Sequence, residues 1–225
     1  MVTVKKEDFV EIEYTGKIKE DGTIFDTTSE KIAKESNIYN QNMRYGSVII
    51  CLGEGQILKG LEKALEGKDT DKEYTIELAP EEGFGKKDPK MIQLIQTSKF
   101  RKQGIQPMPG LQINVDGMLG VVKTVSGGRT LVDFNNPLAG KDLVYTVKIK
   151  RKVDNDKEKI EGYIKLGLGL KDVSAEIKEG NAKIKIKKEL PKDIQNKLAE
   201  NLKRVIKSIK SVEFIVEKEE KEKKP

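Results

Sequence analysis

The stretch Gly53-Glu54-Gly55-Gln56-Ile57-Leu58-Lys59-Gly60-Leu61-Glu62-Lys63-Ala64-Leu65-Glu66-Gly67 constrains this chain more than any other. A β-rich run, Ser47 to Leu52, stops at Gly53-Glu54-Gly55, and a short helix is expected to follow. Ile57, Leu58, Leu61, Ala64 and Leu65 share one face of a helical period, and Gly67 stands where a helix C-cap usually stands. It is the one convincing helix in the first 150 residues, and strand-like segments lie on both sides of it. A lone short helix amid antiparallel strands predicts an α+β fold whose sheet wraps around that helix. On this ground alone the helix is core and nothing more.

The flanking segments follow in order. Phe9-Val10-Glu11-Ile12-Glu13-Tyr14-Thr15-Gly16-Lys17-Ile18 alternates like a half-buried strand, and Glu20-Asp21-Gly22-Thr23 supplies a turn into Ile24-Phe25-Asp26-Thr27. Residues 28–46 are polar and irregular, with a turn of helix around Glu30 to Glu35. Lys72 to Ala79 is a further strand, ending in the loop Pro80-Glu81-Glu82-Gly83-Phe84-Gly85. Between Lys86 and about Val132 the pattern changes. Asp116-Gly117 and Gly127-Gly128 are hairpin signals, Pro107 and Pro109 mark an irregular crossing, and methionine is enriched. Met91, Ile92, Leu94, Ile95, Phe100, Met108, Met118 and Leu119 are more apolar side chains than so small a module can readily bury. They serve either its own core or an adaptable binding surface.

Leu143-Val144-Tyr145-Thr146-Val147-Lys148-Ile149 is a strongly patterned strand, and the charged run Arg151 to Lys159 reads as a linker. Beyond it come a helix candidate over Ile160 to Leu170 and a hairpin about Glu179-Gly180-Asn181. A helix opened by Pro191 follows, with Ile194, Leu198, Leu202, Val205, Ile206 and Ile209 on one face, then a closing strand over Val212 to Val216. Such a piece leaves sheet edges and apolar stripes that invite pairing, so a homodimer through it is expected. Glu217 to Pro225 reads as a charged, disordered tail.

Composition removes several classes of chemistry. The chain has no histidine, which excludes His-based triads, His–Cys zinc sites and imidazole proton shuttles. Its single cysteine, Cys51, lies in an apolar strand and reads as buried core; an internal disulfide is impossible. The net charge is +6, but 43 Lys and Arg are interleaved with 37 Asp and Glu, and no base-stacking aromatics accompany them. Nucleic acid is therefore not an expected partner. Dense Lys/Glu surfaces of this kind are reported for thermophile proteins. No run approaches the roughly 18 apolar residues of a membrane span, and Met1 to Asp8 has no apolar signal core. A cytoplasmic protein with no membrane partner is the expectation.

Motifs for familiar active sites fail. Gly55-x-x-x-x-Gly60 is followed by Leu61-Glu62 where a P-loop needs Lys and Ser or Thr. Gly167-Leu168-Gly169 has Asp172 in place of the third glycine of a dinucleotide loop, and Asp154-x-Asp156-x-Glu158 has lysine at two positions a calcium loop requires. No nucleophile–base pair can be assembled. An enzyme with this inventory would work without covalent chemistry, cofactor or metal.

Three ordered segments carry a resemblance. They are Tyr14-Thr15-Gly16 with Phe25-Asp26; Gly53-x-Gly55-x-Ile57-Leu58-x-Gly60-Leu61-Glu62-x-Ala64-Leu65-x-Gly67; and Asn136-Pro137-Leu138-Ala139-Gly140-Lys141-x-Leu143-Val144-Tyr145. The set closely resembles the FKBP-type peptidyl-prolyl cis-trans isomerases, in the SlyD-like, long archaeal branch with an insert in the flap loop, over residues 1 to about 152. The resemblance implies an FKBP-type isomerase domain over 1–86 and 132–152, an insert-in-flap chaperone domain over 87–131, and leaves a C-terminal α+β domain over 153–225. It implies a catalytic pocket formed by Tyr14, Phe25, Asp26, Ile57, Leu58, Leu61, Phe84, Leu138 and Tyr145. The client-binding surface would be built from the apolar residues of the insert, and the partners would be unfolded or partly folded polypeptides containing X-Pro. Leu61 stands where many eukaryotic members place a Trp, Phe84 replaces a common Tyr, and Asn136 a frequent His. The His/Cys-rich metal tail of bacterial members has no counterpart here.

The implied reaction suits the residues present. X-Pro isomerisation breaks no bond, but twists an amide across a barrier of about 20 kcal/mol and takes roughly tens of seconds unaided. Twisting removes the charge separation of amide resonance, so an apolar pocket favours the twisted form.

Overall fold

The computed structural model describes residues 2–115, 117–170 and 172–216. Asp116 of the expected Asp116-Gly117 turn and the expected tail, 217–225, lie outside the described residues. The chain divides into two compact units: Met1–Leu78 with Leu143–Pro225, and Ala79–Asp142.

The first unit is organised on β1 (Phe9–Ile18), whose alternation becomes an actual two-faced strand. The strand β9 (Leu143–Lys152) runs antiparallel along one side of it, and β4 (Lys72–Leu78) lies beyond β9. On its other side β1 pairs with two short strands end to end: β2 (Ile24–Thr27) near its C-terminal half and β3 (Val48–Cys51) near its N-terminal half. A helix α1 (Glu30–Glu35), capped by the Ser29 side chain, follows β2. The helix predicted from the glycine-flanked stretch is α2 (Lys59–Leu65); Leu61 and Leu65 are buried, and Gly67 takes the expected positive φ. It begins later than its apolar pattern, because Ile57 and Leu58 belong to the approach loop.

The charged run 151–159 does not form a free linker. Arg151 and Lys152 finish β9, and Asn155 caps α4 (Asp156–Leu168), with Asp156 and Glu158 favourably placed in its first turn. Strands β10 (Val173–Lys178) and β11 (Asn181–Ile186) form the expected hairpin. It turns through Glu179 and Gly180, both at positive φ, as a two-residue primed turn requires. After α5 (Lys192–Val205), β12 (Ser211–Val216) pairs parallel to β11. The core beneath this three-stranded sheet contains Ile160, Ile164, Ile184, Ile186 and Leu202, and it continues without a break into Phe9, Cys51 and Val153. Gly162 allows α4 to press onto Ile49, since a Cβ there would come 2.6 Å from that side chain.

The second unit is a four-stranded antiparallel sheet, in the order β5 (Ile92–Gln96), β8 (Arg129–Asp133), β7 (Met118–Ser126), β6 (Gln112–Val115). A short helix that the sequence pattern did not reveal, α3 (Thr97–Lys102), buries Phe100 with Ile113, Val122, Val132 and Phe134. Gly127-Gly128 makes the predicted hairpin turn, both residues at positive φ.

Candidate active site

Sheet register assembles the first part of the site. Gly16 on β1 stands directly opposite Tyr145 of β9 on one side and Asp26 of β2 on the other. Directly paired residues of antiparallel strands project from the same face, so Asp26 and Tyr145 flank a position with no side chain. Tyr14, two residues back on β1, shares that face. Phe25 would point away if β2 were regular. The pairing skips from Gly16–Asp26 to Lys17–Ile24, however, and this bulge at Phe25 turns its ring inward as well.

The rings meet edge to face. Phe25 and Tyr145 have centroids 5.8 Å apart at 83°, and Tyr14 and Tyr145 are 5.9 Å apart at 56°. A Cβ on Gly16 would lie 2.8 Å from the Tyr145 ring and 2.9 Å from that of Phe25, so only glycine admits this packing. The Tyr14 hydroxyl donates to Asp26 Oδ2 at 3.1 Å. Thr28, buried beside them, holds the Tyr14 backbone: its hydroxyl accepts from Tyr14 N at 2.9 Å and donates to Tyr14 O at 3.2 Å. Burial raises the Asp26 carboxyl above its ordinary pKa, against the hydrogen bonds from Tyr14 and the Thr27 backbone, which lower it. Burial also raises both tyrosines, and the nearby Asp26 adds to it, so neither phenol is a proton donor of use near neutrality.

The second part is the loop from Gly53 to Leu58. Gly53 and Gly55 take positive φ on either side of Glu54. The buried Glu62 carboxylate, one turn into α2, accepts from Gly55 N at 3.1 and 3.2 Å, and Gln56 Oε1 accepts from Cys51 N at 2.7 Å. These bonds deliver Ile57 and Leu58, both half-buried, to the start of α2. Leu61 is 1% exposed and Tyr145 only 3%, so each can offer a ligand little more than the edge of a floor or wall. Cys51 is buried, and burial pushes its thiol up to about 12, in keeping with a core residue.

Phe84 and Leu138 belong to the second unit. Both are half-buried on loops tied together by the hydrogen bond from Gly140 N to Gly85 O at 2.8 Å. Of the apolar residues expected to bind clients there, Phe100 is core at 4% exposure and leaves that set; Met91 and Ile95 are half-buried against the same core. Ile92, Leu94, Met108, Met118 and Leu119 are exposed, Leu119 by 73%. The register shows why several of them cluster. Ile92 opposes Asp133, which opposes Val121, and Leu94 opposes Leu131, all on the sheet face away from Val132 and Phe100. On that face Ile92, Leu94, Leu131, Val121 and Leu119 stand among the polar Asp133, Gln112 and Asn114.

The first unit also holds two cavities, the second of which is lined in part by Tyr14 and Thr28. One of about 390 Å³ runs between Met43, Val48 and Ile49 on one side and, on the other, Gly162 and Leu166 of α4 with Leu170 just past its end. The other, about 700 Å³, opens on the polar face of the sheet beside Glu13, Thr15, Lys17 and Lys148. Among the described residues no cluster of acidic and sulfur side chains could hold a metal ion, and no helix is long and apolar enough to cross a membrane.

Of the residues singled out from the sequence, Tyr14, Phe25, Asp26 and Tyr145 come together in the fold. The packing role of Gly16, the Thr28 clasp and the Glu62 anchor appear only in the structure. A glycine in the middle of an otherwise regular strand was the one available signal for the first.

Comparison with known proteins gives the family. The family profile described as FKBP26, IF domain, matches residues 93–138. A short-type peptidyl-prolyl cis-trans isomerase of Methanocaldococcus jannaschii is 33% identical over 147 residues, covering 65% of this chain and 92% of the relative. The FKBP-type 16 kDa isomerase of Escherichia coli K12 is 30% identical over 102 residues, 44% of this chain and 68% of the relative. The SlyD isomerase of Haemophilus influenzae is 33% identical over 102 residues, 43% of this chain and 53% of the relative. The chain belongs to the FKBP-type peptidyl-prolyl cis-trans isomerases, in their SlyD-like branch.

Proposed function

We propose that this protein catalyses cis–trans isomerisation of X-Pro bonds in unfolded and folding polypeptides, without covalent chemistry. The observation that carries the reading is the aromatic cluster about Gly16, with Asp26 set into it and bonded to Tyr14. Phe25, Tyr145, Ile57 and Leu58 form an apolar surround, with Leu61 beneath, in which a planar amide loses the solvation of its charge-separated form. The twisted amide has less charge separation to lose, so the surround lowers the barrier. Tyr14 and Asp26 orient the site or the twisted carbonyl; no proton moves between them.

The insert, residues 87–131, acts as the chaperone element in this reading, with residues 1–86 and 132–152 as the isomerase. The exposed Ile92, Leu94 and Leu119 support it, because large apolar side chains left in water on one sheet face suit weak interaction with unfolded chains. Weak capture there raises the local concentration of prolines. The nearly closed Tyr145 and Leu61 favour one other reading, a holdase whose isomerase pocket is vestigial.

The test is exchange NMR on a short X-Pro peptide beside refolding of a proline-limited protein. Acceleration of both is expected. Suppressed aggregation with no peptide exchange replaces the enzyme by the holdase.

A further inference from the structure

The loop that carries Ile57 and Leu58 is held from two directions. Glu62 reaches it from α2, inside the isomerase part, through Gly55 N. The second hold comes from a residue 150 positions away. Arg204, in the last turn of α5, places Nη1 2.7 Å from Glu54 Oε1 and Nη2 2.6 Å from Oε2, a two-pronged pair. The Tyr163 hydroxyl of α4 lies 3.5 Å from the same carboxylate. The Glu54 side chain is only 11% exposed, so the pair is sheltered on its acidic side, and Glu54 sits between the two positive-φ glycines that shape the loop.

Exposed ion pairs contribute little, but a fork-to-fork guanidinium–carboxylate contact with one buried partner fixes geometry as well as charge. Without Arg204 a mostly desolvated carboxylate would lose its compensating charge, and the cheapest relief is for the loop to swing outward. We infer that Arg204 is a positioning residue for isomerisation: through Glu54, the C-terminal βαβ element sets the conformation of the loop that presents Ile57 and Leu58. The inference rests on the isomerase reading of those two residues. It assigns the C-terminal part a role in the chemistry of a site it does not enter.

The experiment compares the full-length wild type with Arg204→Gln and Arg204→Lys, measuring kcat and KM separately on a short X-Pro peptide and hydrogen exchange at the Gly55 amide. Arg204→Gln should lower kcat/KM about 5-fold, the low end of coupling between distinct sites, through KM rather than kcat. Gly55 exchange should quicken in step. Lysine restores only part of both, since one ammonium cannot make the fork. A variant that melts earlier yet keeps wild-type KM and Gly55 exchange has lost a merely structural contact, and the inference is overturned. If the wild type turns over no peptide, the isomerase reading falls instead. The exchange measurement then still decides whether Arg204 holds the loop, and unchanged Gly55 protection refutes it.

Discussion

The cluster about Gly16 and the outer face of the insert sheet use similar apolar side chains to opposite ends. Around Gly16, three aromatic rings close on one another until Tyr145 is nearly inaccessible, and the Tyr14 hydroxyl and backbone are held by Asp26 and Thr28. On the insert sheet, Ile92, Leu94 and Leu119 stand in water. Half of the exposed large hydrophobic residues among the described residues fall in Ala79–Asp142, which is under a third of the chain. The contrast reflects what each sheet is packed against. The first has α2 and long neighbouring strands against it, whereas the second sets the six-residue α3 over a core of five buried residues. Preorganised chemistry calls for the first condition and adaptable, weak capture for the second.

The sharpest way to break this comparison is Gly16→Ala. The added methyl meets the Tyr145 and Phe25 rings below 3 Å and must push them apart. A loss of about 1–3 kcal/mol in urea unfolding and of about 100-fold in peptide kcat/KM is expected. Refolding assays should show aggregation suppression intact. If the variant is as stable and as active as wild type, the ring packing has no bearing on turnover.

Charge on the other region should invert that pattern. The double substitution Leu94→Lys, Leu119→Glu touches no core residue, so stability should stay within about 0.5 kcal/mol. Catalysed refolding should fall about tenfold as client capture is lost, with short-peptide exchange unaltered. Refolding catalysis at the wild-type rate would place client binding elsewhere.

The smallest effect sharpens the role of Asp26. Its folded pKa lies above its unfolded one, because burial outweighs the Tyr14 bond. Between the two values the folded state keeps a proton that the unfolded state has released, so stability falls as pH rises through that window. Asp26→Asn should remove this fall, leaving the protein at neutral pH at least as stable as wild type. Peptide turnover should drop about 3- to 10-fold with the loss of a charged hydrogen-bond acceptor. Unfolding curves at acid and neutral pH check the sign; a variant destabilised only at neutral pH contradicts it.

The amino-acid sequence alone determined the local elements. Alternation placed β1 to the residue, the glycine-bounded apolar period placed α2, and Gly127-Gly128 and Glu179-Gly180 placed their hairpins, because each signal is carried by neighbours along the chain. The same locality explains α3, whose six residues show too little period to be seen, and the run 151–159, where strand end, cap and helix start look alike as a string of charges. Tertiary structure decided the rest. The aim of Phe25 depends on a bulge against β1, the need for Gly16 on rings from two other strands, and the burial of Phe100 on the sheet that α3 directly follows. The Arg204–Glu54 pair joins residues 150 apart that look like any two charges on a Lys- and Glu-rich surface. Register and long-range pairing arise from packing of whole elements, and no window of sequence contains both partners.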